Sequence, residues 1–549
     1  MNISDLYFNT KKQLPDNIET RSGQLLLKGG FVSKSSRGVY YLNPLGCAFI
    51  DRIVEGIEII LRKNGFQKTA TPILNLKHQH SGINKFITTD RDGKSFFLTD
   101  EPYYEFLEMI KTNIISYRQL PVRLYESRPK LKNIFKPNRE LFNSYETKEV
   151  TIMMADVDKL VLQKRIDYLL DSLKIIFDSW GLDTDRIIKP NGAGFYIGTR
   201  TDWNNLGSFH NEQDGQYHSI SHIENIGSES VLSEVEILDK NLVETPDIKT
   251  ISELSEFLKL ESSKLLKAIL LDCNGEKTAV FLRGDRNLST EKLAHNLGIL
   301  PDRITPLADE DVIASGGIPG FIGPMGLRDI KTIIDVEAVN EINMVTGSNK
   351  EGYHMINVNY SVDFQCDYVM DVSLCYMDRM IDDNEIEIFE HTMILDLFNF
   401  DNSHPGKHKP VYKTDKSSNA GITTAYAKID LYELMAIIVE KNSNDEKFIL
   451  PASVSPCKFY VVLADMKDQI REKSEKLTQY TSDCEIYVDD RKMGVGFKIR
   501  EAEAIGAPFI IIIGKKSEDD SYEWIDRMNN VKMMVNFDKL VSLIVNKSK

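Results

Sequence analysis

The stretch Arg123–Asn138, "RLYESRPKLKNIFKPN", sets Arg123, Arg128, Lys130, Lys132 and Lys136 against a single acid, Glu126. The whole chain leans the other way: its 549 residues hold 67 Lys and Arg against 82 Asp and Glu, a formal charge of −15. A cation cluster in an acidic protein reads either as a solvated loop or as a site for phosphates. The type of cation matters for the second role, because the planar guanidinium fork meets phosphate bidentately whereas an ammonium is a point charge. The surroundings of the stretch decide between the two.

Length alone suggests three or four domains at roughly 150 residues each. With 42% hydrophobic and 27% charged residues, the chain has the composition of a folded globular protein. No apolar run approaches the ~18 residues needed to span a bilayer, and the N-terminus shows no signal-peptide pattern. No membrane association is therefore expected, and a cytoplasmic location is. Cys47, Cys273, Cys366, Cys375, Cys457 and Cys484 form no C-x-x-C pair, and His78 and His80 lack the helical spacing of a metal site, so no metal centre is expected.

"NPLGCAFIDRIVEGIEIILRKNGF" places Ile50, Ile53, Ile57, Ile60 and Leu61 on one stripe, predicting a long amphipathic helix closed by Gly65. "QKTATPILN" reads as a strand with Pro72 at an edge or bulge, 103–117 as a helix, and "YETKEVTIMMADVD" as a strand running into a helix. Beyond "KNLVETPDIKT" a second unit begins, with a helix over "TISELSEFLKL" and a strand, an N-G turn and a strand over "LLKAILLDCNGEKTAVFLRGD". "SGGIPGFIGPMGL" is too rich in Gly and Pro for helix or regular strand. The last hundred residues alternate β-α-β-α-β. Mixed helices and strands of this kind predict an α+β chain.

Several stretches together resemble prolyl-tRNA synthetase of the bacterial type, a class II aminoacyl-tRNA synthetase. "SGQLLLKGGFVSKSSRGVYYLNPLG" is similar to the family's opening, "ATPIL" to motif 1, "LTDEP" to its T-x-E loop, and "SYRQLPVRLYE" to the run leading into motif 2. "VETPDIKT", "PGFIGPMGL" and "GYHMINVNYSVDF" resemble its inserted editing domain, and "VDDRKMGVGFKIREAEAIGAPFIIIIGK" its anticodon-binding domain. The resemblance implies a catalytic domain on an antiparallel sheet (1–223 and 381–450), split by an editing-like domain (224–380) and followed by an α/β anticodon-binding domain (451–549). It also implies proline, ATP with Mg2+, and tRNA(Pro) as reactants, and a homodimer.

The family supplies one arginine from motif 2 (F-R-x-E) and one from motif 3 (G-I-G-x-x-R) to carry charge when ATP is attacked. Anchored on "LYE", motif 2 falls on "LKNI": Lys132 stands for the arginine, Ile134 for the glutamate, and Lys136 and Asn138 for two further basic positions. Motif 3 falls on "TAYAKID", where Ala425 and Ala427 replace glycines and Asp430 the arginine. At ~4 Å and an effective dielectric of ~20 one charge pair is worth about 4 kcal/mol. Exchanging attraction for repulsion therefore costs roughly twice that, or about five decades in rate, as an upper bound.

Other positions match. Thr99 and Glu101 fill the T-x-E positions that contact proline in the family. In the insertion, "GFIGP" (Gly320 to Pro324) matches the G-x-x-x-P loop whose backbone serves hydrolysis of mischarged alanyl-tRNA; Gly-rich backbone lets N–H groups approach an ester oxygen closely. Lys267 matches a lysine near the tRNA end, and Asp335 and His354 match an acid and a histidine of the pocket. Asp489, Asp490, Arg491, Gly494, Phe497 and Glu503 match the anticodon-domain pattern, mostly as fold-keeping residues. Three readings stay open: a proline–tRNA ligase, a paralogue that deacylates Ala-tRNA(Pro), and a non-catalytic tRNA-binding protein.

Overall fold

The computed structural model of the chain describes residues 1–7, 10–11, 18–76, 86–99, 101–133, 137, 139–189, 194–200, 206–211, 215–219, 236–246, 248–297, 299, 301–374, 388–400, 411–413, 419–480, 486–514 and 520–548. Ile134, Lys136, Asn138, His78, His80, Cys375 and Cys484 lie outside the described residues.

The first long element follows the apolar stripe. Helix α1 (Pro44–Lys63) starts with proline in its first turn and ends before Gly65, which adopts φ +75°. Its Ile50, Ile53, Ile57 and Leu61 are buried. The expected strand over "QKTATPILN" splits into β1 (Gln67–Lys68) and β2 (Leu74–Leu76), which join different sheets. The cause is Thr71, whose N–H and hydroxyl donate to the buried Glu126 carboxylate at 2.6 and 2.8 Å instead of joining a ladder, and Pro72, which has no N–H to give. Helix α2 (Tyr103–Asn113) stops short of the expected 117, where Ser116 starts a separate capping box over Tyr117–Gln119.

The cationic stretch becomes strand β3 (Val122–Leu131), and β4 (Glu146–Asp156) returns beside it. Asp158 then caps α3 (Lys159–Ser179), accepting from Leu160 and Val161 N–H at 2.8 and 3.0 Å. Strands β5 (Thr184–Ile188), β6 (Gly194–Arg200), β7 (Leu206–Asn211) and β8 (Gln216–Ser219) extend this sheet.

The inserted unit contains β9 (Asn241–Glu244), α4 (Ile251–Leu258), β10 (Leu265–Cys273), β11 (Glu276–Arg283), β12 (Lys331–Asp335), β13 (Met344–Gly347), β14 (Tyr353–Val358) and β15 (Tyr368–Met370). Its strands lie in the order β9-β14-β13-β10-β11-β12-β15, with Ile304–Pro306 also pairing with β10.

The chain then re-enters the first sheet through β16 (Ile388–Phe400) and β17 (Thr423–Asp430), followed by α5 (Leu431–Lys441). The completed order is β6-β5-β8-β7-β16-β17-β4-β3-β1, antiparallel except at β8–β5 and β1–β3. One face is packed by α1, α3 and α5, with Val150, Ile152 and Met154 of β4 against Leu169, Leu173, Leu434 and Ile437. Each such fully buried side chain contributes roughly 1.5–3 kcal/mol. The other face carries α2, whose Phe106, Leu107 and Ile110 meet Met153, Ala155, Phe398 and Tyr426, and leaves its remaining part polar.

The C-terminal unit comprises β18 (Phe459–Leu463), α6 (Asp468–Thr478), β19 (Ile486–Asp489), α7 (Val495–Ala504), β20 (Phe509–Ile513), β21 (Tyr522–Asp526), β22 (Val531–Val535) and α8 (Phe537–Ser548). Its sheet runs β19-β18-β20-β21-β22, parallel in the first three strands and antiparallel in the last two. The β-α-β-α-β reading stopped short of β21, β22 and α8. The fold is α+β.

Candidate active site

Strand alternation sorts the cationic stretch onto two faces. Arg123 pairs in register with Met154 of the helix-covered core, and its guanidinium donates to the Asn64 carbonyl at 2.7 Å. Glu126, Arg128 and Lys130 pair with Thr151, Glu149 and Thr147 on the opposite face, and across β4 the same rows continue to Lys428 and Asp430 of β17 and to Asp396 of β16.

Arg128 is buried and engaged. It donates to the Thr99 carbonyl at 2.9 Å and to the Thr71 hydroxyl at 3.2 Å, with Glu126 at 3.5 Å. It thus braces the loop carrying Thr99 and Glu101. Arg139 is exposed, in a left-handed conformation at φ +52°.

Lys132 and Asp430, the two altered motif positions, form an ion pair with each other. Asp430 is also the N-cap of α5, accepting from the N–H groups of Tyr432 and Glu433 at 3.0 and 3.1 Å and from the Thr147 hydroxyl at 2.6 Å. Burial alone would raise its carboxyl, but the Lys132 charge, with the Lys132 and Thr147 hydrogen bonds, holds it below the usual range.

Glu101, 2% exposed, accepts from the Tyr426 hydroxyl and lies 3.3 Å from the Lys428 ammonium and 3.5 Å from that of Lys130. Thr99 is likewise occupied: its hydroxyl accepts from Asn75 at 2.6 Å and donates to Glu105 at 3.3 Å. Lys130 also meets Glu149 at 2.7 Å. Burial pushes Glu149 up to about 7, with the nearby Lys130 charge opposing. Lys189 pairs with Asp396 between the rings of Tyr196 and Phe398. The face is a checkerboard of opposed charges.

Tyr426, Lys428 and Glu149 are the residues that sequence reading missed; Lys130, named only as one cation of the opening stretch, joins them on this face. The signal for Tyr426 and Lys428 was present in "TAYAKID": Ala425 and Ala427 pack into the core behind the sheet, so the side chains that alternate with them turn to the polar face. The alanine methyls therefore fill core, and Tyr426 and Lys428 fill the site.

In the insertion, adjacent strands gather the expected residues. Leu266 pairs with Thr346, and Gly347 with His354, so Lys267, the end of β13 and His354 stand side by side. The glycine-rich loop meets the same strand end: a Cβ on Gly323 would lie 1.8 Å from the Gly347 carbonyl oxygen. Gly320 adopts φ +88° and is exposed, and Pro324 is half-buried. Burial lowers the Lys267 ammonium, with Asp285 opposing; its nearest polar contact is the Gly284 carbonyl at 3.4 Å. His354 bonds through Nδ1 to the Thr245 hydroxyl at 2.7 Å and packs on Phe321, and burial lowers its imidazole below the usual histidine value. Asp335 is fully buried and accepts from the N–H groups of Glu337, Val372 and Ser373, so it knots β12 to the segment after β15.

In the C-terminal unit Asp489 accepts from Arg491 at 2.6 and 2.9 Å and from the Tyr460 hydroxyl at 2.8 Å, a buried fold-keeping set. Among the described residues no group of three or more His, Cys, Asp or Glu side chains could hold a metal ion. Among them, too, no helix is long and apolar enough to cross a membrane.

Residues 245–363 match the family model described as an aminoacyl-tRNA editing domain, and 458–547 match the anticodon binding domain. The chain is 27% identical over 543 residues to the proline–tRNA ligase of Halothermothrix orenii, covering 94% of each protein. It is 27% identical over 583 residues to that of Finegoldia magna, covering 99% of this chain and 98% of the relative. A solved prolyl-tRNA synthetase from Cryptosporidium parvum, complexed with L-proline and AMP, shares the fold at a TM-score of 0.52 and 10% identity, covering 97% of this chain and 80% of that one. Fold and domains together define a class II aminoacyl-tRNA synthetase architecture with an editing insertion. Within that class, the chain is a relative of the bacterial-type prolyl-tRNA synthetases across nearly its whole length.

Proposed function

We propose that this is a prolyl-tRNA synthetase-type protein whose synthetic centre is closed and whose chemistry is hydrolysis of mischarged alanyl-tRNA(Pro) in the inserted domain. The observation that carries the first half is the Lys132–Asp430 ion pair. An ATP-phosphate site needs unopposed positive charge; here the one motif cation faces a carboxylate, and the second motif position is that carboxylate. Glu101, expected to meet proline, already holds Lys428, Lys130 and Tyr426. The residues present do not fit ATP and its Mg2+.

The second half rests on the Gly320–Pro324 loop seated against Gly347, beside Lys267 and His354. In the hydrolysis, water adds its oxygen to the alanyl carbonyl carbon, the ester bond to the terminal ribose oxygen breaks, and that oxygen takes up a proton. Loop N–H groups stabilise the transient negative charge on the carbonyl oxygen. Lys267 offers a cation to the phosphates of the tRNA end, and the C-terminal domain binds the anticodon region. The protein acts in the cytoplasm as a homodimer, assignments supported by resemblance alone.

A second reading, proline–tRNA ligation, is favoured by the near full-length similarity to curated ligases. Two assays on the pure protein separate them. Alanine release from Ala-tRNA(Pro), lost in Lys267→Ala, with no proline-dependent ATP–pyrophosphate exchange is the expected result. Robust exchange overturns the closed centre, and no release from wild type leaves a tRNA-binding role without catalysis.

A further inference from the structure

Asn349, in the turn between β13 and β14, reaches across to the glycine-rich loop with its whole side chain. Its Oδ1 accepts from the Gly323 N–H at 3.0 Å, and its Nδ2 donates to the carbonyls of Gly323 at 2.9 Å and Met325 at 2.7 Å. Its own N–H donates to the Phe321 carbonyl at 2.8 Å. A primary amide offers an acceptor and two donors in a single plane, which answers the one N–H and two carbonyls that Gly323 and Met325 present around Pro324. The backbone of Asn349 sits at φ +55°, a conformation that Asn tolerates.

We infer that Asn349 is a positioning residue of the hydrolytic site, which rests on the editing reading above. Acting through the loop, it withdraws the Gly323 amide from any ester oxygen. Within Gly320–Pro324, where the Phe321 amide donates to the Ile318 carbonyl, the Gly320 and Ile322 amides have no acceptor and are the donors left to the substrate. Such donors help catalysis only when fixed beforehand, so loosening the loop lowers turnover more than affinity.

The variant that tests this is Asn349→Gly, because alanine at this φ adds backbone strain of its own. Expected is faster hydrogen exchange at the Gly323 amide, by roughly tenfold. Expected with it is a kcat for alanine release lower by about 10- to 100-fold with KM near wild type. Asn349→Asp keeps the acceptor for Gly323 but turns an oxygen onto two carbonyls: exchange stays slow while kcat falls. Unchanged exchange in Asn349→Gly overturns the clamp, and faster exchange with unchanged kcat overturns its catalytic role. A wild type that releases no alanine, yet loses Gly323 protection in Asn349→Gly, overturns the hydrolytic reading and with it that role, and leaves the clamp standing.

Discussion

Lys132, one residue past β3, closes on Asp430, the N-cap of α5, so the two altered motif positions are partners. Their side chains are only 20% and 12% exposed. Removing one partner from a buried pair leaves an uncompensated charge, so Lys132→Met should destabilise the protein by about 3 kcal/mol. Asp430→Asn keeps an oxygen for the α5 cap and should cost about 1–2 kcal/mol, with Asp430→Ala about 1 kcal/mol beyond that. Denaturant titration of the three variants ranks them; Asp430→Ala no worse than Asp430→Asn would show that the cap contributes nothing. Because the Asp430 carboxyl is held low, its contribution is present above the ordinary aspartate range near pH 4 and is lost as pH falls through the lower folded value.

The ammonium of Lys428 lies 3.3 Å from Glu101, the carboxylate that the proposed reading would offer to a cationic substrate amine. Free proline should therefore produce no shift in thermal midpoint of the wild type, since a second cation beside Lys428 and Lys130 meets repulsion. Lys428→Met removes that competitor, and a proline-dependent shift should appear. A clear proline shift in the wild type would sink this account of the pocket.

What could be read beforehand followed from periodicity and from local chemistry. The stripe of α1, the strand-to-helix passage in "YETKEVTIMMADVD" and the glycine-rich loop were legible because each is decided within a few residues. Lys132 and Asp430 were found as positions, yet their pairing was not, because it joins strands separated by the whole insertion. "TAYAKID" drew attention to its alanines, whose methyls turn away from the site; strand alternation applied there would have singled out Tyr426 and Lys428. The break at Thr71 was hidden because its partner, Glu126, is distant in sequence. Strands β21 and β22 went unread because "YEWID" and "VKMMV" are short and lie past the last long apolar run.

Glu149 gives the buried charge network a pH signature. Its folded value near 7 lies above the ordinary glutamate value near 4.3, so the folded state binds the extra proton across that window. Its contribution is therefore fully present below about pH 4 and fades as pH rises through 7. Glu149→Gln mimics the protonated form, so the variant should gain on wild type in thermal midpoint between pH 5.5 and pH 8.5. A constant difference across that range would place the Glu149 titration elsewhere.

Gly320 and Gly323 are glycines for different reasons, and alanine distinguishes them. At Gly320 the added methyl meets mainly the flexible Lys249 side chain at 3.0 Å, so the penalty is chiefly the φ of +88°. That conformation costs a non-glycine residue roughly 1–2 kcal/mol. At Gly323 the methyl would fall 1.8 Å from the Gly347 carbonyl oxygen, backbone against backbone, and nothing nearby can move without parting the loop from β13. Gly323→Ala should cost about 3 kcal/mol or more, the upper end of overpacking, and should release the Asn349 contacts with it. Denaturant unfolding of the two variants, read beside hydrogen exchange over 316–327, checks the ranking. Equal stability would mean that the loop stands further from β13 in solution than Gly347 and Gly323 now do.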